Sequence, residues 1–251
     1  MPIGHPHLVF PIYAFPPAFA GSVIIGLAVV SLFHGRRDRL SLSFALFCFA
    51  WALVAIETFV LQLTASVTVA RMAPATVWVT YAFMAGYILV LTGRDRRLST
   101  AVWGIRPDVW LGTIVVMALI AGTVANTTDL VVMGVAENGA WGYSLRVGPA
   151  AGFFHLPFVI MISFGLCLLY KARREARSPA LGFFLRNNLY ALLAIIGSAF
   201  IFAGILPLFN IPAFPMVFDA FTIIAFFFFG IIANYQFRQI EELNASLEEK
   251  V

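Results

Sequence analysis

The sequence predicts an all-α membrane protein, a bundle of seven transmembrane helices whose last helix continues into a coiled-coil helix. Hydrophobic residues make up 61% of the 251 residues and charged residues 11%, whereas soluble domains average about 25% charged residues. Mean hydropathy is +0.93. Seven apolar stretches approach the roughly 20 residues that cross a bilayer core. The charges between them are distributed unevenly, and this distribution predicts the topology.

The seven predicted spans are separated by charged or Pro/Gly-rich breaks. The apolar runs are too long, and show too little alternation, for strands of an outer-membrane barrel, which take about ten residues each. Their predicted bounds are 11–33, 41–63, 72–92, 109–126, 151–170, 188–209 and 214–236.

Basic residues gather in the first, third and fifth loops and in the C-terminal tail. The loop clusters are "GRRDR" (35–39), "GRDRR" (93–97) and "KARREAR" (171–177), and of sixteen Lys and Arg only Arg71 and Arg146 fall on the other side. The positive-inside rule then places the N-terminus outside and the C-terminus in the cytoplasm. The basic pI of the chain is therefore explained by its membrane topology. We expect no nucleic-acid partner.

The long loop 126–149 is predicted to form a short hairpin or a cap over the bundle, because it mixes β-branched residues with Gly and Asn. Cys48 and Cys167 both fall within predicted spans. We therefore expect buried thiols that act as small apolar residues, without a disulfide.

The tail "QIEELNASLEEKV" (239–251) carries one apolar stripe, formed by Ile240, Leu243, Leu247 and Val251. Such spacing is typical of a helix that buries one face. Its polar face is acidic, which disfavours a helix lying on an anionic membrane surface. The tail thus favours a dimer stalk and divides the chain into a membrane domain (1–236) and the start of a cytoplasmic helix (237–251).

Two carboxylates lie within predicted spans, where a charge costs about 2.5 to 3.5 kcal/mol. Given the topology, both fall in the outer half of the membrane, at a depth shared by other polar and aromatic side chains. Such a cluster is typical of a small-ligand pocket. The alternative is that each carboxylate is a structural group bonded to a neighbouring helix. The candidate ligand-binding residues are Glu57, Asp219, His155, Asn210, Trp78, Tyr81 and Tyr13.

The sequence lacks the signatures of several chemistries. Lys171 and Lys250 are the only lysines, and neither falls inside the bundle to form a retinal Schiff base. P-loop, HExxH, GxSxG and CxxC motifs are absent. We therefore predict neither a catalytic residue nor a metal site in this segment.

Several stretches resemble the N-terminal seven-helix sensor region of bacterial membrane histidine kinases. They are "LSLSFALFCFAWALVAIETFVLQL" (40–63), "WVTYAFMAGYILVLTGRDRRLS" (78–99), "YSLRVGPAAGFFHLPFVIMIS" (143–163) and "IIANYQFRQIEELNASLEEKV" (231–251). The last is similar to the junction where such receptors pass from the final span into a signalling helix.

The resemblance implies a two-component sensor in a bacterial inner membrane. It would detect a small, lipophilic signal and relay it through the seventh helix and a homodimeric stalk to a cytoplasmic output domain and its response regulator. Membrane lipid would surround the bundle. ATP and Mg would belong only to a kinase domain beyond this segment, because no phosphoacceptor histidine follows the tail.

Three alternatives remain open from the sequence. The same sensor module is also joined to diguanylate cyclases. A small transporter or permease would also be multi-pass, although the odd number of spans and the helical tail disfavour it. An intramembrane enzyme acting on lipid would need a nucleophile, a metal set or an acid pair.

Overall fold

The computed structural model describes residues 14–34, 39–93, 107–137, 143–176, 179–199 and 201, without the side chains of 152–159 and of a few other positions. This part of the chain is mostly helical. Its elements, in chain order, are α1 (Phe15–His34), α2 (Arg39–Thr64), α3 (Val67–Leu91), α4 (Pro107–Thr127), β1 (Val132–Glu137), β2 (Tyr143–Val147), α5 (Ala151–Arg174) and α6 (Pro179–Ala199).

Within the described residues, four helices are long and apolar enough to cross a membrane, namely α1 to α4. The chain is therefore a multi-pass membrane protein, as the composition predicts. Large apolar side chains such as Phe19, Phe33 and Leu119 remain exposed on these helices. Lipid can cover such side chains without the cost of exposing them to water.

The first five helices follow the predicted spans closely, with the largest difference at α3, which begins at Val67 rather than at 72. The sixth helix differs more, because it begins at Pro179 rather than at 188. Proline is favoured at the first helical position, where its missing N–H leaves no bond unmade. The residues from 179 to 187, which include Arg186, therefore form the first turns of α6. The predicted seventh span (214–236) and the stalk (237–251) lie outside the described residues.

A tight turn joins α2 to α3 and makes them antiparallel neighbours. Ala65 has φ 51°, a left-handed conformation that is uncommon for a residue with a side chain. The Ala65 N–H donates to the Leu61 carbonyl at 3.1 Å. This hydrogen bond closes the last turn of α2. Ser66 begins α3, where its hydroxyl accepts from the Val69 N–H at 3.4 Å.

Small residues bring the first four helices close together. A Cβ at Gly21 of α1 would lie 3.5 Å from the Ala55 Cβ of α2, and one at Gly122 of α4 would lie 2.9 Å from the Ala75 Cβ of α3. Lipid is as apolar as the side chains of the helices, so helices in a membrane gain little hydrophobic stabilisation when they associate. They associate instead through close packing, which small residues permit.

Helices α4 and α5 meet at a glycine. The Trp110 indole N–H donates to the Met161 carbonyl at 3.0 Å. Its ring lies edge-on to Phe164, with 5.4 Å between centroids. A Cβ at Gly165 would lie 3.1 Å from the same indole. The glycine thus makes room for a buried tryptophan between the two helices.

The segment between α4 and α5 forms an antiparallel hairpin, as the loop composition predicts. Pairing runs from Val132 opposite Val147 to Glu137 opposite Tyr143, with a bulge before Gly134. At the base of the hairpin, the Gly148 N–H donates to the Val131 carbonyl at 2.8 Å. The hairpin contacts α2 and α3, and we call this end of the bundle the hairpin end.

Basic residues divide between the two ends of the described bundle. Arg71 lies in the second turn of α3 and Arg146 lies on β2, both at the hairpin end. Arg39, at the start of α2, lies at the other end, as do Arg173 and Arg174 at the end of α5. The one-sided loop charge in the sequence therefore corresponds to one end of the folded bundle.

Candidate functional site

Three of the seven candidate ligand-binding residues have described side chains. Glu57 lies on α2, and Trp78 and Tyr81 lie on α3. His155 lies in the second turn of α5, where only the backbone is described. Tyr13, Asn210 and Asp219 are outside the described residues.

Glu57 contacts α3 through one carboxylate oxygen. The Thr76 hydroxyl donates to its Oε1 at 2.6 Å. Its Oε2 is buried and has no hydrogen-bond partner in the described part of the chain. The side chain as a whole is half-buried. Glu57 therefore has a structural partner and also one oxygen that remains able to accept a hydrogen bond.

Trp78 and Tyr81 form an aromatic cluster with Trp51 of α2. The Tyr81 ring lies edge-on to both indoles, with 6.5 Å between centroids in each case. All three side chains are buried. The cluster supplies the rigid apolar surface expected of a site for a lipophilic molecule.

The carboxylate of Glu57 and the Trp78 ring lie on different faces of α3. Thr76, which holds Glu57, precedes Trp78 by two residues, so the two side chains are about 200° apart around α3. Glu57 occupies the groove between α2 and α3, whereas Trp78 lies away from that groove. Glu57 and Trp78 therefore lie at similar depth along the membrane normal, but on different faces of α3.

A small cleft lies between α2 and α3 beside the aromatic cluster. Its volume is about 30 Å³, close to the volume of about one water molecule in the liquid. A larger ligand would require these two helices to separate or would bind on the other side of the aromatic rings. The cleft is lined by Trp51, Val54, Val77, Thr80 and Tyr81.

Gln62 is a further buried polar group at the hairpin end, which the sequence reasoning missed. Its side chain is 1% exposed. Neither its amide oxygen nor its amide nitrogen has a hydrogen-bond partner among the residues described. The signal in the sequence was a single amide within the apolar stretch "FVLQLT", just inside the predicted end of the second span.

Tyr87 and Asn188 form a second polar pair that the sequence reasoning also missed. The Tyr87 hydroxyl donates to Asn188 Oδ1 at 2.5 Å, and Asn188 Nδ2 donates to the Phe184 carbonyl at 3.0 Å. Asn188 is fully buried. This pair joins α3 to α6, far along α3 from the hairpin end, and its bonds are satisfied, which is typical of a structural contact.

An ion pair lies where the hairpin meets the helices. Arg71 Nη2 of α3 bonds Asp129 Oδ1, in the turn before β1. The Arg71 Nε is buried and has no hydrogen-bond partner in the described ranges. The unpartnered buried polar atoms of the described side chains, on Glu57, Gln62 and Arg71, thus all lie on the hairpin-end portions of α2 and α3.

The described residues contain no group of three His, Cys, Asp or Glu side chains that could hold a metal ion. Cys48 is buried and Cys167 is half-buried, and both are free thiols.

Comparison of the chain with protein-family models, with curated proteins and with solved structures found no match.

Proposed function

We propose that the chain is the membrane sensor region of a bacterial sensor histidine kinase, which binds a small lipophilic or amphiphilic signal at the hairpin end. The observation that carries the proposal is the position of the buried polar atoms without partners. A polar atom that is buried in hydrocarbon without a hydrogen bond costs free energy. Polar groups that are retained there mark functional positions. The aromatic cluster of Trp51, Trp78 and Tyr81, nearer the middle of α2 and α3, supplies the apolar surface for the ligand.

The relay in this proposal is a shift between two packings of the predicted seventh helix (214–236). A ligand changes such an equilibrium only by the difference in its affinity for the two states. A coupling of about 1 to 3 kcal/mol is typical of a switch. The continuous helix would carry the bias into the segment 237–251 and from there to a cytoplasmic output domain in the homodimer.

The N-terminus is outside and the C-terminus cytoplasmic in this proposal, and the membrane is the bacterial inner membrane. The support is the division of basic residues between the two ends of the bundle together with the positive-inside rule. The hairpin end then faces outward, so a signal reaches it from the outer leaflet or the periplasm.

Native mass spectrometry of the purified chain in mild detergent tests the proposal. We expect a dimer that carries a defined small amphiphile. Glu57→Gln and Asp219→Asn should each reduce the bound fraction while leaving the yield of folded protein unchanged.

Glu137→Gln is the matched control, because Glu137 is an exposed carboxylate on β1. It should retain the amphiphile. An empty monomer that responds to none of these substitutions would contradict the proposal. Equal loss of folded protein in the two test variants would assign the carboxylates to structure instead.

A further inference from the structure

Glu57 is an acidic side chain at membrane depth to which the described residues bring no cation. Its Oε1 accepts from the neutral hydroxyl of Thr76, and its Oε2 has no partner in the described part of the chain. Ionisable groups inside a membrane generally pair with one another or with backbone groups. Arg71, five residues from Thr76 and so about 140° around α3, already bonds Asp129. The Glu57 carboxylate therefore remains able to pair with a cation.

The pair formed by Glu57 and Thr76 lies at an open edge of the groove between α2 and α3. The Glu57 side chain is only half-buried. Leu53, one turn before it on α2, is 54% exposed. On α3, Met72 and Val79 lie about one turn to either side of Thr76 and are 49% and 43% exposed. Residues one turn apart share a helix face, so exposed apolar side chains border the pair on both helices.

A ligand at this edge needs no cavity inside the bundle. Its alkyl chain would lie in the bilayer against Leu53 and Val79, as the chain of a lipid does. Phe49 and Phe83, each about one turn further toward the middle of its helix, are also exposed and continue this surface. The buried aromatic cluster lies at the same level on the inner side of the groove. The groove thus offers a polar end at Glu57 and an apolar surface leading away from it.

The carboxylate can present either oxygen to the open edge. The terminal torsion of a glutamate side chain is broad and roughly two-fold, so Oε2 can turn toward lipid without leaving a low-energy conformation. The Thr76 hydroxyl donates to Glu57 and can also accept. A primary ammonium group carries three N–H donors, which match the two carboxylate oxygens and this hydroxyl.

Other headgroups fit this edge less well. A neutral alcohol donates one hydrogen bond and leaves the carboxylate charge without a counter-charge. An anionic headgroup would be repelled by that charge. A quaternary ammonium carries the right charge but has no N–H to donate. Hydrogen bonds between two ionised groups are roughly twice as strong as neutral ones, and a primary ammonium forms them.

We infer that Glu57 and Thr76 bind the headgroup of a single-chain primary amine in its ammonium form, which reaches them from the lipid side of the groove between α2 and α3. The Glu57 carboxylate supplies the counter-charge, and the Thr76 hydroxyl accepts one N–H. The inference rests on the proposed function in taking Glu57 as part of the signal site, and it adds the charge and the headgroup of the signal.

The test uses the 251-residue chain in a neutral detergent at pH 7 and follows thermal unfolding with decylamine, decan-1-ol or decyltrimethylammonium. Decylamine is an ammonium ion at this pH, because alkylamines such as the lysine side chain titrate near about 10.4. We expect decylamine to raise Tm in a saturable way. Loss of a hydrogen bond to a charged group weakens binding at least about tenfold, so the alcohol should bind that much more weakly. The trimethylated ion should as well, and it controls for non-specific effects of a cationic surfactant.

Glu57→Gln keeps the size of the side chain without its charge. It should weaken decylamine at least about tenfold and remove the preference for decylamine over decan-1-ol. Glu137→Gln is the matched control, because Glu137 is an exposed carboxylate on β1 at the same end of the bundle. It should bind all three probes as wild type does. The comparison of the probes needs no variant, so the test stands even if Glu57→Gln fails to fold.

The inference is overturned if decylamine gives no saturable shift, if either other probe binds as well as decylamine, or if Glu57→Gln keeps the preference for the amine. Equal binding of the alcohol and the amine, with both weakened in Glu57→Gln, would overturn the ammonium headgroup and leave the proposed receptor standing. Decylamine binding that depends on Glu57, in a chain that stays monomeric, would leave the inference standing and overturn the receptor.

Discussion

The hydrogen bond between Tyr87 and Asn188 provides a measurable test of how α3 and α6 pack. Tyr87→Phe removes the hydroxyl that donates to Asn188 Oδ1 and leaves that oxygen without its donor in a fully buried side chain. The ring keeps its contacts, since it stacks on Phe47 at 6.1 Å and packs against Phe44 at 5.4 Å. The substitution therefore opens little new space.

The expected loss in the free energy of unfolding comes from the broken hydrogen bond alone. An unpaired buried acceptor costs about 1 to 3 kcal/mol, and hydrogen bonds between membrane helices average about 0.6 kcal/mol with a maximum near 1.7. We expect Tyr87→Phe to lower the free energy of unfolding by about 1 to 2 kcal/mol. For a chain of this size the loss in Tm would be roughly 2 to 8 °C.

A double-mutant cycle with Asn188→Leu isolates the bond. The double variant should cost less than the sum of the two single variants, because neither side chain then loses a partner. Thermal unfolding in mild detergent, followed by circular dichroism, measures all four proteins. Tyr190→Phe is the matched control, since Tyr190 lies on α6 but is 55% exposed. A Tyr87→Phe cost no larger than the control, with zero coupling to Asn188, would refute this packing of α3 against α6.

Three further substitutions test the packing of α2, α3 and α4 by the same unfolding assay. Gly122→Ala should lower stability by about 0.5 to 2 kcal/mol, because its Cβ would lie 2.9 Å from the Ala75 Cβ and push α3 and α4 apart. Gly112→Ala on the same helix meets nothing within 4 Å and should gain up to about 1 kcal/mol; equal effects at the two glycines would contradict the close approach. Ala65→Gly should raise stability by about 1 kcal/mol, because it relieves the left-handed conformation between α2 and α3, and a loss in Tm would show that the turn is not strained.

Local sequence patterns predict much of the fold. The bounds of α2 and α4 differ from the predicted spans by one or two residues at each end, because apolar length decides whether a segment crosses the bilayer. The hairpin also follows from its local mixture of β-branched residues, Gly and Asn. The start of α6 was missed, since hydropathy disfavours a segment containing Arg186 although Pro179 can begin a helix there.

The candidate site was predicted less completely. Depth along the membrane follows from residue number and topology, so the sequence places Glu57, Trp78 and Tyr81 at similar levels. The face on which each side chain lies depends on helix rotation, which a neighbouring helix sets. The structure accordingly pairs Glu57 with Thr76 and groups the aromatic rings with Trp51.

The sequence by itself determined that this is a helical membrane protein, where most of its spans lie, and how its charges divide between the two ends. Those properties depend on residues close together in the chain. Only the tertiary structure decided that Tyr87 bonds Asn188 while the Gln62 amide remains without a partner among the described residues. Hydrogen bonds between helices require rotation and register to agree over a long sequence separation, and hydropathy carries no information about either.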